Sequence, residues 1–230
     1  MDNLFVRINT IFEWIMKFAG TNLLWVLFNF PIVYLTMSLL FVENTSQAMM
    51  IMITIAVLAP FIFFPATIAM FGVVRKWVMK DDVSLMRFYW KYYKENYKAS
   101  MIGGLIISFL WVIIGFDYYY FQTSIPLISY IFILLLICLF VFTVYFCANT
   151  VHTEAKLKQS MRNAFVLAIV NPIFSLGIAI INIAILYISI QYLTFLLPFF
   201  SGSLIAFISF LGYYKVFNQV VALQEPETIN

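Results

Sequence analysis

Charge is scarce in this chain. Only 10% of its 230 residues are Asp, Glu, Lys or Arg, whereas soluble domains carry about 25%. Hydrophobic residues make up 64% of the sequence and aromatic residues 20%. A water-soluble fold of this length could not bury so much apolar surface, so the composition predicts a protein whose main solvent is lipid. A second, soluble domain is excluded because no polar stretch is longer than the one between Arg75 and Ser100.

Residues that carry chemistry are also few. Cys138 and Cys147 are nine residues apart in one apolar run, which places them on opposite sides of a helix and disfavours a disulfide. Two cysteines and the single histidine, His152, do not favour a metal site. The motifs GxSxG and HExxH and a glycine-rich phosphate loop are missing. We therefore predict that the protein is not an enzyme, has no catalytic residues and binds neither cofactor nor metal.

Apolar runs of membrane length predict the fold class. It is all-α, a polytopic membrane helix bundle that forms one domain over residues 1–230. The six predicted spans are about 18–42, 49–74, 99–116, 126–149, 172–191 and 196–214. Pro31, Pro60 and Pro65 fall inside the first two spans and predict kinks there. Asn171 and Pro172 form a helix-start signal for the fifth span.

Residues 1–17 are predicted to form an amphipathic helix in the membrane surface. Ile8, Ile11, Phe12 and Ile15 share one helical face, and charged residues such as Arg7 lie on the other. The alternative is a helical segment that simply packs on the bundle.

The distribution of charge predicts the orientation. All 13 Lys and Arg residues lie in the N-terminal segment, in 75–100, in 150–165 or just after the sixth span. The loops on the other side contain only Glu43 and Asp117 as charged residues. Because basic loops stay on the cytoplasmic side, we expect a multi-pass protein with both termini in the cytoplasm.

The segment 75–98 combines basic and aromatic residues. Arg75 and Lys76 end the second span. Further on, four cations at spacings of four, three and four residues form a basic stripe on one helical face: Arg87, Lys91, Lys94 and Lys98. Trp90 flanks this stripe. The simplest interpretation is an orientation determinant that binds the bilayer and its anionic lipid headgroups. The alternative is a docking helix for a partner protein. Nucleic-acid binding is not predicted.

Small and polar residues within the spans indicate helix contacts. Ser100, Gly104 and Ser108 are spaced four apart, a pattern that lets helices approach closely, either inside the bundle or in a homo-oligomer. The polar residues within or beside the spans are expected to form hydrogen bonds between helices rather than to bind substrate: Asn29, Thr67, Thr143, Asn171 and Asn182.

Several sequence blocks in the first half resemble a known family. They are Asn22-Leu-Leu-Trp25 with Phe28 and Pro31, Pro65-Ala-Thr67 with Met70-Phe71, Arg75-Lys76-Trp77, and the basic-aromatic continuation to Ser100. Together they resemble the YesL-like family of bacterial integral membrane proteins, a domain of unknown function. The resemblance implies location in a bacterial cell membrane and an association with carbohydrate uptake and degradation systems in Gram-positive bacteria. It implies no catalytic residues.

Two functional hypotheses follow. The first is a non-enzymatic accessory protein that supports or regulates a carbohydrate uptake system of the ABC type, with transporter subunits as partners of the basic segment. The second is a permease for a small neutral solute such as a sugar, in which the proline-broken first and second spans line the path.

Overall fold

The computed structural model describes residues 2–81, 84–153 and 155–224, with side chains from Val6 to Leu223 within these ranges. All regular structure in the described residues is helical. The α-helices are α1 (Asp2–Phe28), α2 (Phe30–Ser38), α3 (Thr45–Leu58), α4 (Phe63–Val78), α5 (Leu85–Ser124), α6 (Pro126–His152), α7 (Leu157–Val170), α8 (Pro172–Gln191) and α9 (Gly202–Gln224). A 3₁₀ turn, Leu39–Phe41, follows α2, and a π-helical turn, Leu197–Ser201, leads into α9.

Within the described ranges, five helical segments are long and apolar enough to cross a membrane: Val6–Phe28, Leu85–Ser124, Pro126–His152, Pro172–Gln191 and Leu197–Leu223. A sixth is possible if α3 and α4, which meet at an angle of 56°, form one bent span. The predicted fold class, an all-α polytopic membrane bundle, is therefore confirmed.

The start of the chain differs from the sequence-based division. The sequence predicts a helix over residues 1–17 that is separate from the first span, but α1 continues from Asp2 to Phe28 without a break. The helix is interrupted only at Asn29, and Pro31 follows in the first turn of α2, where its missing N–H removes a bond that a continuous helix would need. Val6, Ile11, Phe12 and other apolar side chains of this end are mostly exposed. The depth of this end in the membrane stays a prediction.

The basic segment and the third span also form one element. They were expected to be divided near residue 98, but α5 runs through 40 residues. At 1.5 Å per residue this helix is roughly 60 Å long, about twice the hydrocarbon thickness of a bilayer. The change from charged to apolar residues does not mark a helix end, because no proline interrupts the sequence between Leu85 and Ser124.

The core is centred on α4. Eleven of the 16 residues of α4 are buried, and they pack against α6 residues such as Tyr145 and Phe146 and α9 residues such as Phe210 and Tyr213. Pro60 lies in the bend before α4, whereas Pro65 lies in the first turn of α4, where a helix has unpaired N–H groups in any case. The block Pro65-Ala-Thr67 therefore begins the most buried helix of the protein.

Candidate functional site

Two of the sequence blocks that carry the family resemblance are in direct contact. The indole Nε1 of Trp25 on α1 donates a hydrogen bond of 3.0 Å to Oγ1 of Thr67 on α4. The ring of Trp25 also packs edge-on against Phe63, with a centroid distance of 5.9 Å. The contact joins the end of α1 to the start of α4, directly after the bend between α3 and α4.

A tyrosine of the basic-aromatic segment completes this junction. The hydroxyl of Tyr89 on α5 donates a hydrogen bond of 2.8 Å to the carbonyl oxygen of Ala66, and only 1% of Tyr89 is exposed. Phe28 of α1 packs against Tyr89 and Tyr93 at centroid distances of 5.0 and 4.9 Å. One side of the basic-aromatic segment is thus part of the core.

Asn22 holds the π-helical turn that precedes α9. Its side-chain amide donates to the carbonyl oxygens of Leu197 and Pro198 at 3.0 and 2.7 Å, and its Oδ1 accepts a 3.0 Å hydrogen bond from the backbone N–H of Ser203. A π-turn disturbs the regular helical hydrogen bonding, so backbone groups need partners from elsewhere. Asn22 is fully buried and supplies three such partners. We call this arrangement the Asn22 clamp.

Most polar residues that were expected to join helices do so. Thr143 accepts a hydrogen bond from Trp111, Asn182 donates to Ser209, and Asn171 donates to Gln219. Asn29 is the exception, since its amide bonds to the carbonyl of Trp25 one turn earlier in the chain.

A second buried network, around Asn149, was not anticipated. The amide of Asn149 donates to Ser160 at 2.8 Å and to Thr153 at 3.1 Å, while Tyr213 donates to its Oδ1 at 2.8 Å. These contacts join α6, α7 and α9. From the sequence, Asn149 is predicted only to lie at the end of the fourth span. Its position between an apolar run and a polar segment gives no sign of these hydrogen bonds, of which the one from Tyr213 comes from 64 residues further along the chain.

The basic stripe lies on the free side of α5. Arg87, Lys91, Lys94 and Lys98 are all exposed. Lys94 places its Nζ 4.6 Å from the ring centroid of Trp90, which in turn stacks on Tyr93. Lys91 approaches Glu95 at 3.8 Å. Because exposed ion pairs of this kind contribute little, the stripe presents its charge to the surroundings.

The other two cations of the predicted contact surface lie elsewhere. Lys76 pairs with Asp81 at 2.9 Å and lies over the ring of Phe88 at 5.1 Å. Arg75 is partly buried in α4, and its Nε has no hydrogen-bond partner among the described residues. The contact surface proposed from the sequence therefore separates into an exposed stripe on α5 and a half-buried pair at the end of α4.

The row of small residues in α5 is covered by the protein itself. Ser100, Gly104 and Ser108 are buried, and a Cβ built on Gly104 would lie 2.7 Å from Cγ of Phe64. The row serves packing within the bundle. Pro172 is the first residue of α8, as the helix-start signal predicted.

Comparison with known proteins agrees with these sequence blocks. The family model described as "Protein of unknown function, DUF624" matches residues 18–118. The chain is 26% identical to the uncharacterized protein YesL of Bacillus subtilis (strain 168) over 222 residues. The aligned residues cover 96% of this chain and 94% of YesL. The chain is therefore similar to the YesL-like family. The predicted resemblance is thereby confirmed.

Other relatives extend the likeness. The uncharacterized protein YteU of the same organism is 28% identical over 199 residues, which cover 85% of this chain and 78% of YteU. No solved structure matches. The segment that matches the DUF624 model contains Asn22, Trp25, Thr67, Tyr89 and the basic stripe. The partners of the Asn22 clamp at 197–203 lie outside it.

Proposed function

We propose that this YesL-like protein is a non-enzymatic accessory component of a carbohydrate uptake system of the ABC type in a bacterial cell membrane. In this proposal both termini face the cytoplasm, and the basic stripe of α5 contacts a transporter subunit. The observation that carries the proposal is the division of α5 into two faces. One face is buried through Tyr89, and the other presents four exposed cations.

The two faces have different consequences for partner binding. The buried face fixes the orientation of the helix, because Tyr89 is hydrogen-bonded to α4 and packed against α1. The stripe is therefore held on a rigid support, and a rigid support lowers the cost of ordering a binding surface. Cations on such a surface favour an acidic partner surface and accelerate association. The link to carbohydrate uptake comes from the family resemblance.

The test is a co-purification in mild detergent from the native membrane. We expect replacement of Arg87, Lys91, Lys94 and Lys98 together by Gln to reduce recovery of a transporter subunit by about tenfold, since each cation contributes up to about 1 kcal/mol at an exposed surface. Recovery is measured by quantitative mass spectrometry against the unmodified protein.

The matched control removes charge from a different surface. Lys156, Lys158 and Arg162 are also exposed, and their replacement by Gln should leave recovery unchanged. Reporter fusions at Thr45 and Thr123 that remain external show that each variant is inserted in the same orientation. Equal recovery with the stripe variant, when correctly inserted, would show that the stripe does not contact a transporter.

A permease is the second candidate, and one observation favours it. Helix interruptions at Asn29, at Pro60 and at the turn Leu197–Ser201 are connected through Asn22 and Trp25 on α1. Discontinuous helices often surround the binding sites of transporters. Under this alternative, liposomes that contain the purified protein should take up radiolabelled glucose or another neutral sugar faster than protein-free liposomes. Equal uptake rates for a panel of such sugars would contradict it.

A further inference from the structure

A groove separates the end of α1 from the start of α5. It has a volume of about 360 Å³, and its walls are apolar or aromatic apart from one cation. The wall from α1 includes Leu27 and Phe28, the wall from α5 includes Met86, Tyr89 and Trp90, and the cation is Arg87.

The walls of the groove favour hydrocarbon as the occupant. Leu27 is 64% exposed and Met86 is 70% exposed, so their side chains are not covered by the rest of the chain. Ordered water in a site needs two to four polar partners, and this groove offers few. In a membrane protein the abundant apolar ligand is the acyl chain of a lipid, which gains favourable burial along such walls.

The charge beside the groove favours an anionic headgroup. Arg87 belongs both to the groove and to the exposed stripe, with Lys91 one turn further along α5. Glu95 is the only acidic residue between Leu85 and Lys98, and it approaches Lys91 rather than Arg87. A guanidinium binds phosphate oxygens through two parallel hydrogen bonds. Cations near the surface of an anionic leaflet also attract its lipids.

Trp90 gives the groove a defined wall. It is 46% exposed, stacks on Tyr93 and lies under the Nζ of Lys94. Tryptophan is enriched at the membrane interface, where one part of the ring contacts hydrocarbon and the N–H contacts polar groups. We propose that the groove binds one anionic phospholipid, with an acyl chain between α1 and α5 and the phosphate at Arg87. This site shares Arg87 with the proposed transporter contact, but it does not depend on that contact and is tested without a transporter.

Tryptophan quenching by brominated acyl chains tests the site, because bromine quenches only a nearby indole. The purified full-length protein is placed in phosphatidylcholine vesicles that contain brominated phosphatidylglycerol or, in parallel, brominated phosphatidylcholine. The Trp90→Phe variant, measured in the same way, gives the contribution of the other tryptophans. The difference between the two proteins is the quenching of Trp90 itself. From it we expect an apparent affinity about fivefold higher for brominated phosphatidylglycerol than for brominated phosphatidylcholine, the factor that one interfacial cation contributes.

Three variants locate the binding. Arg87→Gln should abolish the preference for phosphatidylglycerol, and Met86→Phe, which narrows the groove without adding an indole, should weaken quenching by both lipids. Lys98→Gln should change neither, because it lies about 16 Å along the helix from Arg87. Glycerol phosphate, which has no acyl chain, should not relieve the quenching. Equal quenching of Trp90 by the two lipids, or an unchanged preference in Arg87→Gln, would overturn the proposal. The quenching would then come from the non-specific lipid shell around the protein.

Discussion

Asn22→Ala is expected to destabilise the protein by about 3 kcal/mol, because it leaves two carbonyl oxygens and one N–H without their buried partner. These are the groups of Leu197, Pro198 and Ser203 in the Asn22 clamp. The backbone of a π-helical turn cannot pair them within the helix without rearrangement. We therefore expect a clearly lower midpoint of thermal unfolding, measured by circular dichroism in detergent micelles.

Asn29→Ala is the matched control. Asn29 is equally buried on the same stretch of chain, but its amide makes one hydrogen bond, to the carbonyl of Trp25 in the preceding turn. Its loss should cost about 1 kcal/mol. If the two substitutions lower the unfolding midpoint by the same amount, the three hydrogen bonds of the Asn22 clamp do not add the stability that their geometry indicates.

Gly103→Ala and Gly115→Ala are expected to change stability in opposite directions, although both glycines lie in α5. A Cβ at Gly103 would lie 2.2 Å from Cζ of Phe146, whereas a Cβ at Gly115 meets nothing within 4 Å. Phe146 is fully buried in the core, so it cannot move away without disturbing its neighbours. We expect Gly103→Ala to cost about 1–3 kcal/mol by overpacking. Gly115→Ala should stabilise the helix by up to about 1 kcal/mol.

The same unfolding measurement tests this pair. A double variant distinguishes overpacking at Gly103 from a general sensitivity of α5 to substitution. Combining Gly103→Ala with Phe146→Leu should cost less than the sum of the two single changes, since the smaller side chain makes room for the added methyl group. Additive effects, or the same sign for both glycines, would contradict the assigned packing.

The all-helical class of the fold and several helix ends could be predicted from the sequence, because they depend on local composition. The α8 bounds agree with the predicted fifth span, 172–191, since Asn171 and Pro172 provide a local start signal. The sequence divides the basic segment 75–98 from the third span near residue 98, whereas a single helix, α5, contains most of both. Composition there changes from basic to apolar, and a helix can pass through both environments without a change in its backbone hydrogen bonds.

For the hydrogen bonds between helices, the sequence indicates one of the two partners but not the other. Thr67 and Asn182 could be recognised as groups that need partners, because an unpaired polar group is costly among apolar residues. The partners themselves, Trp25 and Ser209, could not be read from spacing. In the sequence, Asn22 stands out only as the first residue of the block Asn22-Leu-Leu-Trp25. Its clamp joins residues 175 to 181 positions apart, and such contacts depend on how whole helices cross.

By itself the sequence determined that this is a membrane protein, that its fold is all-α, and where its basic segments lie. Each of these properties follows from the kind of residue present. Only the tertiary structure decided which face of α5 is buried, at which glycine an added methyl group would clash, and which backbone groups Asn22 satisfies. Those properties depend on neighbours brought together from distant parts of the chain. Identical residues, such as Gly103 and Gly115, therefore have different roles.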